Sequence, residues 1–212
     1  MKILITGATG FVGRHLIPTI IKDHHEVLEL TRSVKRSQEL FGNTTIKLEI
    51  SDKNFKEKIV EFNPDVVIHL ASFLTSSDKL EDINKLLDSN IYFLTKVLDS
   101  ISQNNLKLFI NTGSFYEYQY KSNAFNPAYF YAATKTASRA FVDYYSSAFN
   151  FKQCTIVPFT IYGGKDQRKI IDIIYDSTNK ELPTELSPGD QILDFIHIDD
   201  ITHFYNLVIK NI

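Results

Sequence analysis

Tyr131 and Lys135 form a pair that is suited to proton transfer. They stand four residues apart near the start of an amphipathic stretch, 129–149, that is predicted to be helical. An i, i+4 spacing puts both side chains on one face of a helix. A cation beside a phenol favours the phenolate and lowers its pKa from about 10, which prepares a tyrosine for acid–base work near neutral pH. Because the chain has eleven tyrosines, a purely structural pair is the competing interpretation.

Thr112 would add a hydroxyl to this pair. It follows an apolar run at 106–111 that is predicted to be a strand. In a doubly wound parallel sheet the carboxyl ends of the strands face the ligand crevice. The hydroxyl of Thr112 is therefore expected to meet Tyr131 over a bound cofactor.

A glycine-rich turn lies between the first apolar run, 2–6, and a predicted helix at 12–22. Its glycines have the spacing G-x-x-G-x-x-G. Glycines allow a tight turn and a close approach of the backbone to a pyrophosphate, which the N-terminus of the following helix then binds. The turn therefore predicts a bound dinucleotide, with a structural turn as the alternative. The residues expected around the pyrophosphate are Gly7, Thr9, Gly10, Phe11, Val12 and Gly13.

The end of the second predicted strand, 26–31, indicates which dinucleotide binds. An NAD-specific site places a carboxylate there to hold the ribose 2′-hydroxyl, but this chain has Thr31 and Arg32. Glu29 comes two residues too early and is expected to point elsewhere. The guanidinium of Arg32 matches a 2′-phosphate. NADP(H) is therefore favoured over NAD(H), with a solvated basic loop as the alternative interpretation.

Apolar runs alternate with amphipathic stretches as far as residue 157, which predicts βαβ units and a parallel sheet in an α/β, doubly wound (Rossmann) fold. We therefore assign 1–157 to a dinucleotide-binding Rossmann domain. The remainder, 158–212, is expected to be a small, truncated substrate-binding part packed on the same core, over the ends of the sheet strands. The predicted strands are 2–6, 26–31, 45–49, 65–70, 106–111, 153–157 and 191–198, and the predicted helices are 12–22, 55–62, 79–102, 129–149, 167–179 and 199–210.

Composition restricts the class of protein. The 212 residues carry a net charge of −2, with 43% hydrophobic and 23% charged residues, which is ordinary for a globular domain. This near-neutral charge gives no excess of basic residues for binding nucleic acid or an anionic membrane. No apolar stretch is long enough to span a bilayer. The single cysteine, Cys154, fits a reducing compartment, so a cytoplasmic protein is expected. His24 and His25 have no third ligand at metal-like spacing, so no metal site is expected.

The chain resembles the extended short-chain dehydrogenase/reductase superfamily, in particular the NAD(P)-dependent epimerase/dehydratase type that acts on nucleotide sugars. The resemblance implies that Thr112, Tyr131 and Lys135 are catalytic. The matching segments are 6–13, 67–71, 112–116, 158–163 and 194–200, together with Asn90, Tyr131 and Lys135. The further cofactor contacts that it implies are Glu49 and Ile50 near the adenine, Leu70, Ala71 and Ser72 along the dinucleotide, and Pro158 and Ile161 beside the nicotinamide.

Departures from the family's pattern narrow the expected chemistry. Dehydratases follow the threonine with an Asp-Glu pair, where this chain has Gly113 and Ser114. The arginine that commonly faces the sugar diphosphate is Leu193 here, so another group such as Arg168 is expected to bind it. The "Asn-Thr-Gly-Ser" turn resembles 4-ketoreductases that act on CDP- or dTDP-linked deoxysugars. The implied substrate contacts are Phe73, Thr112, Ser114, Phe115, Tyr131 and Arg168.

The sequence thus favours NADPH-dependent reduction of a keto group on a CDP- or dTDP-4-keto-6-deoxyhexose. An NAD-dependent nucleotide-sugar 4-epimerase is the first alternative, and a catalytically silent NADP-binding sensor or subunit is the second. The strand predicted at 153–157 would be a sheet edge of unpaired backbone groups, which favours pairing with another chain. A homodimer, or a longer polypeptide, is therefore expected to cover it.

Overall fold

A sheet of six parallel strands forms the centre of the molecule, in the order β3-β2-β1-β4-β5-β6. The computed structural model describes residues 1–118, 124–164, 170–180, 183, 185–186, 188–189 and 192–212. The strand order reverses between β1 and β4, which places the ligand crevice at the carboxyl ends of these strands. The predicted doubly wound α/β fold is confirmed. The strands are β1 Lys2–Thr6, β2 Glu26–Thr31, β3 Ile46–Glu49, β4 Val66–His69, β5 Leu108–Thr112 and β6 Lys152–Ile156.

Helices cover both faces of this sheet. A π-helical segment, Asp88–Tyr92, joins α4 to α5, and a short 3-10 helix, Phe115–Glu117, follows β5. Two further strands, β7 Thr160–Tyr162 and β8 Phe195–His197, pair with each other in parallel. No helix in the described ranges is long and apolar enough to cross a membrane. The helices are α1 Phe11–Lys22, α2 Val34–Phe41, α3 Phe55–Phe62, α4 Leu80–Leu87, α5 Phe93–Ile101, α6 Phe130–Phe149, α7 Ile170–Lys180 and α8 Ile198–Lys210.

The sheet separates two apolar clusters. Ile5 and Ile110 point to the face that α1 and α8 cover. Leu4 and Phe109, their neighbours in β1 and β5, point to the opposite face, where α6 contributes Val142. This alternation follows from the two-residue period of a strand. Because helices cover both faces, β1 and β4 carry apolar side chains on both of their faces, as the sequence predicts for strands buried on both sides.

Helix α2 is absent from the sequence prediction, which treats its residues as a basic loop. The Ser33 side chain caps it by accepting a hydrogen bond from the Arg36 N–H. On its inner side, Ser37 donates to the fully buried carboxylate of Glu29 at 2.6 Å, and Thr45 donates to the same carboxylate. Because α2 is anchored through a serine and a carboxylate, its sequence lacks the helical repeat of apolar residues from which a helix is predicted.

The structure corrects the predicted tail and one predicted helix. Helix α8 does not lie over the strand ends: it packs along α1 and adds Ile198, Ile201 and Tyr205 to the core. The sequence predicts one strand in the tail, whereas β7 and β8 are both present. The stretch predicted as one helix at 79–102 is interrupted by the π-helical segment.

Strand β6 lies at the outer edge of the sheet among the described residues, as the sequence predicts. A cavity of about 720 Å³ opens beside it, lined by β6, β8 and α8. Its lining includes the partly exposed rings of Phe195 and Phe204. This edge of the sheet is thus bordered by an apolar groove.

Candidate active site

The glycine turn leaves no room for side chains at two of its positions. Gly7 has φ +71°, and a Cβ there would lie 2.7 Å from the backbone nitrogen of Ala71. A Cβ on Gly13 would lie 2.5 Å from the carbonyl oxygens of Gly7 and Ala8. Among the described side chains none caps the start of α1, and its first turn has no acidic residue. The positive end of the helix dipole therefore faces the turn, which fits a pyrophosphate.

Thr6 ties this turn to the end of β4. Its Oγ1 accepts a hydrogen bond from the Ala71 N–H at 3.0 Å and lies 3.0 Å from Nδ1 of His69. Burial, together with the charge of Lys135, lowers the pKa of His69 to about 3. His69 is thus a neutral core residue, as the sequence predicts. The segment from Leu70 to Ser72, which is predicted to follow the dinucleotide, consequently begins beside the glycine turn.

Tyr131 lies in the first turn of α6 and is buried. The side chains of Ser72, after β4, and Ser114, after β5, lie near its phenol and favour its ionised form. Burial raises the pKa of Tyr131, and the two serines counter this only in part. The predicted lowering of this pKa is therefore wrong, because desolvation outweighs the other effects. The phenol holds its proton at neutral pH and can donate it.

Lys135 follows one helical turn later and is only 4% exposed. Burial lowers its pKa to about 8, while the carboxylate of Glu117 counters part of this change. The side chain is therefore a buried ammonium at neutral pH. Tyr131 and Lys135 are both buried on α6, in agreement with their i, i+4 spacing.

Thr112 does not contact Tyr131, contrary to the sequence prediction. Its Oγ1 lies 2.7 Å from the phenolic oxygen of Tyr205 in α8. Thr112 comes two residues after Ile110 in β5, so the two side chains point to the same face of the sheet. Helices α1 and α8 cover that face, whereas α6 covers the opposite face. Ser114 lies beyond the end of the strand, where this alternation no longer applies, and its side chain lies near the phenol.

Asn90 links three segments around the phenol. Its Oδ1 accepts hydrogen bonds from the Phe73 N–H at 2.8 Å and from the Ser72 hydroxyl at 3.1 Å. Its Nδ2 donates to Thr134 of α6 at 2.9 Å. Asn90 lies in the π-helical segment, a feature that frequently marks functional sites. Asn90 therefore fixes the loop that carries Ser72 against the helix that carries Tyr131.

Glu117 and Arg139 belong to this site although the sequence prediction omits them. Glu117 is fully buried and accepts the Ser114 N–H at 2.6 Å. Arg139 of α6 donates to both of its carboxylate oxygens, from Nε at 2.7 Å and from Nη2 at 3.1 Å. The pattern Ser114-x-x-Glu117 forms a capping box. That pattern is visible in the sequence and would have indicated Glu117.

The ends of β2 and β3 lie side by side, where the adenosine end of the cofactor is predicted. The Ile50 N–H donates to the carbonyl oxygen of Thr31 at 3.0 Å, so Glu49 and Ile50 border Thr31. Arg32 is exposed in the bend before α2. Glu29 points away from this edge, as predicted, because its carboxylate is bound beneath α2.

Stacked aromatic rings extend from Tyr131. Tyr129 stacks on Tyr131, and Tyr116 meets Tyr129 edge to face. Phe115 contacts Tyr116 and stacks on Phe159 with ring centroids 5.4 Å apart. The ring of Phe159 is 47% exposed. An apolar wall therefore leads from the proton donor to solvent.

The remaining predicted site residues lie near this wall or outside the described residues. Pro158 precedes Phe159, and Ile161 is in β7, partly buried against the core. Phe73 is held by Asn90 through its backbone. Arg168 is outside the described residues, so its contact with a diphosphate stays a prediction.

Comparisons with known proteins agree with this architecture. The model of the NAD dependent epimerase/dehydratase family matches residues 3–212. A CDP-abequose synthase from Yersinia pseudotuberculosis is 31% identical over 202 residues, covering 95% of this chain and 70% of that protein. A UDP-glucose 4-epimerase from Mycolicibacterium smegmatis is 23% identical over 221 residues, covering 95% of this chain and 71% of that protein. The crystal structure of UDP-glucuronic acid 4-epimerase from Bacillus cereus, in complex with UDP-glucuronic acid and NAD, has a similar fold, with a TM-score of 0.83 at 23% identity, covering 99% of this chain and 73% of that one.

Proposed function

Since the chain belongs to the NAD dependent epimerase/dehydratase family, whose members are NAD(P)-dependent enzymes of the extended short-chain dehydrogenase/reductase type, we propose that it reduces a keto group on a nucleotide-linked deoxysugar. The substrate class is a CDP- or dTDP-4-keto-6-deoxyhexose. The observation that carries the proposal is the buried, protonated phenol of Tyr131 near the side chains of Ser72 and Ser114. The relatives named CDP-abequose synthase support a nucleotide-linked deoxysugar as substrate.

Two side chains would act on the carbonyl of the substrate, and a third would act on the cofactor and on the phenol. Tyr131 would donate its proton to the oxygen as negative charge develops there. The hydroxyl of Ser114 would hydrogen-bond the same oxygen, and the ammonium of Lys135 would hold the cofactor ribose and stabilise the phenolate that forms. A bound nicotinamide cofactor would supply the hydride.

The turn after β5 argues against dehydratase chemistry. A Cβ on Gly113 would lie 2.6 Å from Oε1 of Glu117 and 2.9 Å from Nη2 of Arg139. A side chain at this position would therefore require the ion pair of Glu117 and Arg139 to shift. Ser114 stands where dehydratases of the family have the second acidic residue, so the acid and base for dehydration are both missing.

We propose NADPH as the preferred cofactor. Arg32 is exposed at the end of β2, and Lys35 and Arg36 follow it in the first turn of α2. Guanidinium and ammonium groups favour a 2′-phosphate. Glu29, the nearest carboxylate within β2, is fully buried and bound to Ser37, so it is not available to a ribose 2′-hydroxyl.

An NAD-dependent 4-epimerase is the second candidate function. It is favoured by the relatives named as epimerases and by the similar fold of epimerase structures that contain NAD. An epimerase returns the hydride to the sugar and consumes no cofactor, whereas a reductase oxidises one NADPH for each sugar. Cofactor stoichiometry therefore separates the two functions.

We also propose that the chain forms a homodimer. Phe141, Tyr144 and Phe149 are large, exposed residues on α6, and Tyr92 is exposed on the neighbouring π-helical segment. Several large exposed side chains on neighbouring elements are consistent with a protein interface. Light scattering should give the mass of a dimer, and Tyr144→Glu should give a monomer that still binds NADPH. A wild-type monomer would contradict the proposal.

The test of the function is turnover by the purified chain. It is incubated with NADPH and CDP- or dTDP-4-keto-6-deoxyglucose, and NADPH absorbance and the sugar product are followed together. The proposal expects one NADPH oxidised for each hydroxyl formed. Interconversion of UDP-hexoses with no net change in cofactor would favour the epimerase. Binding of NADPH without either reaction would favour a catalytically silent protein.

A further inference from the structure

Glu117 is a buried charge that the proposed reaction does not use directly. Its side chain is 0% exposed, although a buried carboxylate is costly unless it is paired and hydrogen-bonded. Arg139 satisfies it with a two-pronged ion pair, and the Ser114 N–H adds a third hydrogen bond. Breaking such a pair leaves an uncompensated buried charge. The pair therefore fixes the backbone that touches it.

Gly113 shows how closely the backbone is fitted to this pair. A Cβ at this position would lie 2.6 Å from the Glu117 carboxylate and 2.9 Å from the Arg139 guanidinium. The peptide that joins Gly113 to Ser114 thus lies directly on the ion pair. Glu117 binds the Ser114 N–H, and the Ser114 hydroxyl oxygen accepts the Tyr116 N–H at 3.3 Å, so both groups are held in the turn. The hydroxyl proton remains for a contact of its own.

The same ion pair connects this turn to α6. Arg139 stands eight residues after Tyr131 and four after Lys135, so these three side chains lie on one face of the helix. Glu117 is in the turn after β5, and Arg139 is on the helix that carries the phenol. The ion pair therefore fixes the distance between this turn and α6, near the place where Ser114 approaches Tyr131.

We propose that Glu117 and Arg139 are positioning residues that hold the hydroxyl of Ser114 against the phenol of Tyr131. This inference deepens the proposed function and rests on it for its kinetic consequences. Since displacement of a reacting group by about 1 Å can cost on the order of 100-fold in rate, loss of the pair should lower kcat. It should leave NADPH affinity unchanged, because neither residue lies at the cofactor-binding turn.

The experiment is a double-mutant cycle between Glu117→Gln and Ser114→Ala, measured as kcat on the 4-keto sugar and as NADPH affinity. Glu117→Gln should lower kcat by about 10- to 100-fold. In the Ser114→Ala background the same change should cost less than about twofold, because residues that act through one another are not additive. Equal losses in both backgrounds, or unchanged kcat in Glu117→Gln, would overturn the inference.

Asp65→Asn is the matched control. Asp65 accepts the Lys2 N–H at 2.8 Å and pairs with Lys107 at 2.9 Å, so it too is an ion-paired carboxylate that binds a backbone N–H. It is more exposed than Glu117 and lies at the amino ends of the strands. It should leave kcat unchanged in both backgrounds. If Glu117→Gln does not fold, Arg139→Lys, which keeps the charge and loses the two-pronged geometry, replaces it in the cycle.

A readout without substrate separates this inference from the proposed function. The ¹³Cζ resonance of Tyr131, assigned with Tyr131→Phe, senses the hydrogen bond of the phenol. Ser114→Ala and Glu117→Gln should move it in the same direction, and Asp65→Asn should not move it. If the wild type reduces no sugar while these shifts agree, the function is wrong and the positioning role holds. If Glu117→Gln leaves the resonance in place, the positioning role is wrong.

Discussion

Replacing Lys135 with methionine should make the protein more stable and inactive. Lys135 is 4% exposed, and burial lowers its pKa from 10.5 to about 8. A pKa difference of this size corresponds to about 3 kcal/mol of penalty for keeping the charge in the folded state. Methionine fills a similar volume without a charge. Lys135→Met should therefore raise the free energy of unfolding by about 3 kcal/mol at pH 7, while removing the ammonium that the reaction uses.

The pH dependence of this gain follows from the direction of the change in pKa. Because the pKa of Lys135 is lower in the folded than in the unfolded state, the unfolded chain binds more protons between about pH 8 and 10.5. The stability of the wild type should rise across this range as the buried amine loses its proton. The advantage of Lys135→Met should therefore be fully present below about pH 8 and fade towards pH 10.5.

Urea denaturation at pH 7 and at pH 10 measures both quantities. Lys152→Met, on an exposed lysine of β6, is the control and should change stability by less than about 0.5 kcal/mol at either pH. A Lys135→Met variant that is less stable than the wild type at pH 7 would refute the reasoning. So would a gain that does not shrink as the pH rises.

Three further substitutions test the site. Tyr131→Phe should abolish turnover and leave NADPH binding nearly intact, because only the transferable proton is lost; wild-type turnover in a kinetic assay would remove Tyr131 from the mechanism. Thr112→Val should lower the free energy of unfolding by about 1–3 kcal/mol, because the buried hydroxyl of Tyr205 loses its partner. If denaturation shows no change while turnover is lost, Thr112 is catalytic after all. Arg32→Ala should weaken NADPH binding by about 10- to 150-fold and NADH binding much less, since a charge-assisted contact contributes about 1.5–3 kcal/mol; equal losses in fluorescence titrations would contradict a 2′-phosphate contact.

Local patterns in the sequence are sufficient to predict the sheet and the pairing of Tyr131 with Lys135. Alternating strands and helices predict the parallel order, and the i, i+4 spacing predicts that the phenol and the ammonium share a helix face. Helix α2 was not predicted because Ser37 anchors it on Glu29. A contact between polar groups does not produce the helical repeat of apolar residues on which the prediction depends. The start of α8 is predicted to within a residue, but its packing along α1 is not.

The sequence by itself determined the glycine turn and the shared helix of Tyr131 and Lys135, because spacing along one helix or one turn is a local property. The tertiary structure decided that Ser114 lies near Tyr131 and that Thr112 bonds to Tyr205. The strand pleat decides which face each side chain meets, and the helix on that face comes from a distant part of the chain. The sign of the pKa change at Tyr131 was likewise decided by burial, which depends on every segment packed around the phenol and on no pattern within its own helix.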